Sequence, residues 1–446
     1  MRTPVWCLLM ASALFFLMGA ASSFAQVDKP SEMVLRYTTK RPVDVNTVQP
    51  FTEDTVLSLV PGTPSAESGS LFTGPVANAA TTTGTGGNIF GLNTVPTFSG
   101  AFAGANGASQ GTVFPFIMMG NDPLIGVTTT IPTKVTEVSL TLKKADGTTL
   151  KTVPFTSLFD DVITDSPNFA TATYDSSTIA TQFADAVQRA EFFSTAKAGW
   201  HTLLGGPNIV NHVTISIPAS VSVSFPDGKT ETVTAYFLST AADGSTIVAL
   251  LDVLFDKLFS TQVINDINAG HFTTSALNLE IFPNTLLFSA NEAKPTTIGK
   301  CCVLGFHTYF LASGVTPQPR WVTLFATYLS PGTAPPLQDV TAMSHEISEA
   351  FDDPFVNNPT PNWQFPNQPA TSTVCQNNLE TGDPIEVLSN PVFPMTLIEG
   401  TTSITFHPQT EALLQWFEMG ATSNAISGAF SYPNKTALTK SAVPCP

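Results

Sequence analysis

Charge is scarce in this chain. Only 12% of its 446 residues are Asp, Glu, Lys or Arg, about half of the roughly 25% usual for soluble proteins. Basic residues are the scarcer kind, 18 against 34 acids, which leaves a formal net charge of -16. A surface of that sign repels phosphate backbones and anionic lipid, so nucleic-acid binding through a basic patch is excluded. The five cysteines include no CxxC pair, which excludes a cysteine-rich zinc ribbon. The glycine-rich run GTGGN at 84–88 has no Lys following in the place a phosphate loop requires. Beyond the first 25 residues no stretch is apolar enough to span a bilayer.

Those first 25 residues read as a signal peptide. Arg2 supplies the positive end, Val5 to Ala21 is mostly apolar, and Ser23-Phe24-Ala25 is a small-x-small cleavage site before Gln26. The expected destination is secreted or periplasmic, with no membrane span after signal removal. Cys7 is removed with the signal, leaving Cys301, Cys302, Cys375 and Cys445. An even number in an exported chain reads as disulfides. A vicinal bond between Cys301 and Cys302 is possible but strained. The expected pairing takes one of them to Cys375 and the other to Cys445.

Residues 26–110 read as an extension. Thr38 to Val60 can give two short strands, and Pro61 to Ser109 is rich in Gly, Ala, Ser and Thr, a composition of loop or partial disorder. From Thr112 the pattern is ordered. Strands are expected at Val135 to Leu142, Val213 to Ile217, Val221 to Phe225, Thr230 to Leu238, Ala276 to Phe282, Cys302 to Phe310 and Trp321 to Leu329. Helices are expected at Ser177 to Ala196 and Leu250 to Ile267, where apolar residues recur at helical spacing.

The densest chemistry lies in LQDVTAMSHEISEAFDDP, Leu337 to Pro354. It reads as a helix with Asp339 at its N-cap, one apolar side (Val340, Met343, Ile347, Ala350, Phe351) and a stop by Asp353, before Pro354. At about 100° per residue, His345 and Glu349 are about 40° apart on one face, where an imidazole and a carboxylate can share a divalent cation. Asp353 follows nearly in line. The bland alternative is a capped, solvated surface helix. A second acidic cluster, Glu380, Asp383 and Glu386, surrounds a Gly-Asp-Pro turn, with Glu380 31 residues after Glu349. Glu380 and Asp383 are candidate further ligands, or else turn-forming surface acids. His307, in GFHTYF, can approach the site from a strand or be a packed histidine. His201, His212, His271 and His407 read as surface or packed residues.

The string SHEISEAFDDP resembles the zincin helix HExxH, with Glu349 where the second His stands. It is also similar to segments of uncharacterised secreted bacterial proteins and to the HELAEAVTDP-type stretch of Exordium-like proteins. The zincin resemblance implies His345 as a ligand and Glu346 as general base. The element order, helix then strands then the His345 helix, matches the zincin N-terminal subdomain. There a mixed sheet backs the active helix and an edge strand, here Val322 to Tyr328, lines the substrate cleft. The expected fold is therefore α+β: a β-rich exported protein with a zincin-like mixed sheet and active helix in its C-terminal half. Its domains would be 1–25 signal, 26–110 extension and 111–446 folded, with the zincin-like core at about 195–446.

The expected function is an exported metal-dependent hydrolase, peptidase-like. His345, Glu349 and an acid from Asp353, Glu380 or Asp383 would hold the metal, Zn²⁺ before Ca²⁺, and Glu346 would be the base. Its partner would be a peptide or cell-surface polymer. The alternative is a non-catalytic secreted or surface protein with a structural Ca²⁺ site, binding polysaccharide or another surface component.

Overall fold

Side chains alternate across a β-strand, and in this chain that alternation separates two cores. The computed structural model describes residues 42–58, 92–291, 294–369, 372, 374–399 and 402–445. The expected signal peptide and much of the Gly- and Thr-rich tract lie outside the described residues. The main sheet contains β1 (Thr128–Lys143), β2 (His201–Ile217), β3 (Leu277–Pro283), β4 (Gly305–Leu311) and β5 (Gln318–Ala334), in the spatial order β4-β5-β3-β1-β2. β4 and β5 run antiparallel, while β5–β3, β3–β1 and β1–β2 are parallel pairs. Three helices matter to its faces: α1 (Phe183–Glu191), α2 (Asp252–Ala269) and α3 (Thr341–Asp352).

On one face, Leu277, Leu279 and Ile281 of β3, Val322, Leu324 and Ala326 of β5 and Tyr309 of β4 pack with Met343, Ile347 and Phe351 of α3. The intervening residues, Phe282, Phe325, Phe306 and Phe310, face away and pack with Leu254, Phe255, Phe259 and Val263 of α2. His307 has the parity of Tyr309, so it points to the α3 side. A third core gathers Phe98, Phe102, Phe116, Trp200, Trp363, Trp416 and Phe417. It lies under the hairpin Thr97–Ala103 with Val113–Met119. Residues 97–103, which composition assigns to loop, form a strand because Phe98 and Phe102 are aromatic anchors among small residues; both are buried.

The α+β, zincin-like fold class is corrected by this architecture. The protein is β-rich, 43% strand against 16% helix, with the mixed sheet joined by several smaller ones. The strand expected at the edge of a cleft is interior: Val322–Tyr328 lies in β5, bonded to β4 on one side and β3 on the other. It therefore has no open edge on which an extended substrate could pair.

Local expectations shift in three places. The helix at 177–196 shortens to Phe183–Glu191, the strand at 230–238 divides into Thr230–Thr234 and Tyr236–Thr240, and the strand at 302–310 straddles Lys294–Val303 and β4. The cysteine pairing is also corrected. Cys301 pairs with Cys302, and Cys375 with Cys445, whose Cα atoms are 5.9 Å apart. The second bond fastens the segment before Glu380 to the chain's last strand-like residues, where Pro444 bridges to Trp363. Among the described residues, no helix is long and apolar enough to cross a membrane.

Candidate metal centre

A helix as polar as α3 belongs at the surface by its sequence, yet all twelve of its residues are buried. Sheet strands β4 and β5 cover one side; α1 and the Val113–Met119 strand press on the others. Asp339 is not its N-cap. That position is Val340, with no side-chain cap bond, and Asp339 ends a short strand at φ 42°. Its carboxylate accepts the Val340 N–H at 2.6 Å and the His407 N–H at 2.9 Å, and lies 2.6 Å from His407 Nδ1.

Burial of a polar face requires partners for it. His345 Nε2 lies 3.1 Å from Glu349 Oε1 and 4.0 Å from Asp383 Oδ1. Glu349 Oε1 also accepts the Gly382 N–H at 3.0 Å, which docks the turn before α4 (Asp383–Glu386) against α3. On the other side of the same carboxylate, Glu349 Oε2 lies 3.4 Å from His307 Nδ1. That nitrogen is 3.5 Å from Glu346 Oε2 and 4.0 Å from Glu380 Oε2. His307 Nε2 is 3.1 Å from the Asp353 carbonyl. A carbonyl only accepts, so Nε2 carries the hydrogen and Nδ1 of the neutral ring offers its lone pair to the carboxylates' side, as in metal-binding histidines.

Two glycines shape the centre by what they omit. A Cβ on Gly382 would collide with the His345 ring, and one on Gly305 would come to 2.5 Å from Glu346 Oε1. Neither glycine has positive φ, so space and not backbone freedom is the requirement.

Two triads have ligand atoms mutually within 4.8 Å: His345, Glu346, Glu349 and His307, Glu349, Glu380. Each can hold a metal ion. The structure thus brings His345, Glu346, Glu349 and Glu380 together, with Asp383 beside His345. Asp353 does something else: its two oxygens accept the N–H groups of Asn357 and Asn358 at 2.9 and 3.0 Å, tying down the turn after α3. His307, readable in sequence only as a possibility, is central. Glu411 and Glu191, both buried, were not legible as site residues. The one signal for Glu411 is a lone acid among apolar neighbours in TEALLQWF.

The electrostatics follow from crowding acids where water is absent. Burial raises Glu380, Asp383, Glu411 and Glu191 well above the usual carboxyl range, and neighbouring carboxylates raise them further. Burial also raises Glu346, to about 7, against the pull of His307 and His345. Asp352 rises to about 8, for burial and its neighbours Glu349 and Asp353. Burial opposes charge on His307 and on Glu349 as well. Around His307, Glu380, Glu346 and Glu349 override it and raise the ring; around Glu349, His345 and His307 override it and hold the carboxyl low.

Glu349 is thus the charged hub, and the remaining acids share too few cations. The donor set, imidazole nitrogen with carboxylate oxygen, fits a divalent metal. The chain matches no protein-family model, no curated protein and no solved structure.

Proposed function

We propose that the protein is an exported metal-dependent hydrolase, peptidase-like in its chemistry. One observation carries this reading: His345, Glu346 and Glu349 of one helical turn converge with Glu380 and Asp383, delivered by a turn more than thirty residues later. His345 and Glu349 would hold the cation with Asp383 or Glu380. When bound, a divalent cation would polarise a carbonyl and acidify a water. Glu346, one residue on from His345, would take the proton from the attacking water and pass it to the leaving amine. Its contact with His307 would steady that carboxylate, and Gly305 leaves it room. The presence of imidazoles supports Zn²⁺ or Mn²⁺ over Ca²⁺, which prefers oxygen alone. The HExxE likeness to the zincin helix supports the same assignment of roles.

The test joins elemental analysis to one substitution. Mature protein purified without added metal is expected to carry Zn²⁺ or Mn²⁺. Glu346→Gln is expected to retain that metal while cleavage of a peptide library falls by about 10² to 10⁴, the worth of a general base. Cleavage that persists unchanged in Glu346→Gln sinks the mechanism.

A second reading has its own observation. His307, His345, Glu346, Glu349, Glu380 and Asp383 are each at most 3% exposed, and structural metal sites are closed where catalytic ones keep an open position. On this reading the cation braces a secreted binding protein for polysaccharide or another surface component. It expects Glu346→Gln to alter stability alone.

A further inference from the structure

We infer that the centre is built for two divalent cations bridged by the Glu349 carboxylate. The inference rests on the cation-site reading above and adds a second ion to it. The two triads share only Glu349, and they use opposite oxygens of it: Oε1 faces His345 Nε2 at 3.1 Å and Oε2 faces His307 Nδ1 at 3.4 Å. One imidazole therefore stands at each end of one carboxylate, which is the arrangement of a bridging ligand between two ions. Further acids divide the same way. Asp383 Oδ1 lies on the His345 side at 4.0 Å, and Glu380 Oε2 on the His307 side at 4.0 Å. Glu346 sits between, adjoining His307 from the turn of helix that carries His345.

Charge gives an independent argument. Two dications balance the four carboxylates Glu346, Glu349, Glu380 and Asp383 with both imidazoles neutral. One dication leaves two buried carboxylates uncompensated, a costly state in a dry interior. A second observation points to missing positive charge. Glu411 is fully buried, and neither of its oxygens has a hydrogen-bond partner among the described residues. The charged groups that act on it are all acids: Glu349, Asp352, Glu346 and Glu191. It therefore faces the cluster from the side opposite the sheet's His307, and only a cation or a shared proton can reconcile it with those neighbours.

The experiment uses the full mature chain, stripped by chelator dialysis and titrated with Mn²⁺. The expected result is two Mn²⁺ per chain by elemental analysis, with the electron paramagnetic resonance signal of an exchange-coupled pair. His307→Gln should drop the stoichiometry from two to one and leave the signal of an isolated ion. One Mn²⁺ per wild-type chain overturns this inference and leaves the single-cation hydrolase standing. No Mn²⁺ overturns both. Two Mn²⁺ with uncoupled signals overturns the Glu349 bridge. Should His307→Gln fail to fold by circular dichroism, the wild-type stoichiometry and coupling still decide.

Discussion

Four histidines at the periphery and two at the centre all touch carboxylates, but with different surroundings. His407 meets Asp339 at 2.6 Å, His201 meets Asp185 at 2.7 Å, His271 meets Asp266 at 2.9 Å and His212 meets Glu137 at 2.7 Å. Three of these acids are saturated by further donors. Asp185 also accepts Thr181 Oγ1–H and the Thr202 N–H, Asp266 accepts from Thr136, Asn211 and Gln262, and Asp339 accepts two backbone N–H groups. Each pair is closed within itself. At the centre two rings face Glu346, Glu349, Glu380 and Asp383, with few neutral donors among them. A peripheral pair locks loops together; the central cluster is incomplete by charge, and completion has to come from outside the chain.

The comparison breaks most sharply at Glu349. Glu349→Ala removes the carboxylate that both central rings share. It is expected to abolish cation uptake and to cost about 3–5 kcal/mol, the usual penalty for leaving a buried partner uncompensated. Urea unfolding and metal analysis check both effects. Gly382→Ala should cost less, about 1–3 kcal/mol for overpacking against His345, and should weaken cation binding because that ring must move. A Gly382→Ala protein with wild-type stability and affinity would show that the close fit there is dispensable.

His407→Ala should cost about 1 kcal/mol, the net worth of a hydrogen bond, while cation content stays the same. A fall in cation content would erase the distinction between periphery and centre. The smallest effect concerns Glu137, which burial and its neighbour Asp160 raise to about 8. A raised folded-state pKa contributes stability that is full below the unfolded value, near 4.5, and is lost as pH rises through about 8. Wild type is thus expected to lose slightly more stability than Glu137→Gln between pH 5 and pH 9, read from urea midpoints.

How much of this was legible varies with the range of the interaction. His345, Glu346 and Glu349 were readable because their relation is local: helical geometry alone sets them on one turn. The later acids Glu380 and Asp383 were readable as a cluster, though not which ring each would approach. The saturation of Asp353 by Asn357 and Asn358 depends on a tight turn whose form spacing does not specify. His307 required knowing the pairing of β4 with β5, which puts His307 opposite Leu324 and on the α3 side. Glu411 required knowing that a segment over sixty residues beyond α3 returns to it. The burial of α3 on all sides ran against its polar pattern, since amphipathicity reports what a helix can bury and not what later chain will cover it. The interior position of β5 was likewise a property of the whole sheet, decided by partners on both sides.

The wide sequence spacing of the centre has a consequence in time. Its groups enter the chain from His307 to Glu411, 104 positions apart, which is roughly 5–20 s of synthesis at ordinary rates. Until the last of them emerges, α3 is a polar helix without its lid, and Glu349 lacks the Gly382 N–H that docks that lid. An ion met early would find His345 and Glu349 exposed and loosely held. An ion met late would find them enclosed. Loading is therefore a race between delivery of the metal and closure of the 380–411 segment, and the order of those two events decides whether the finished molecule is charged or empty.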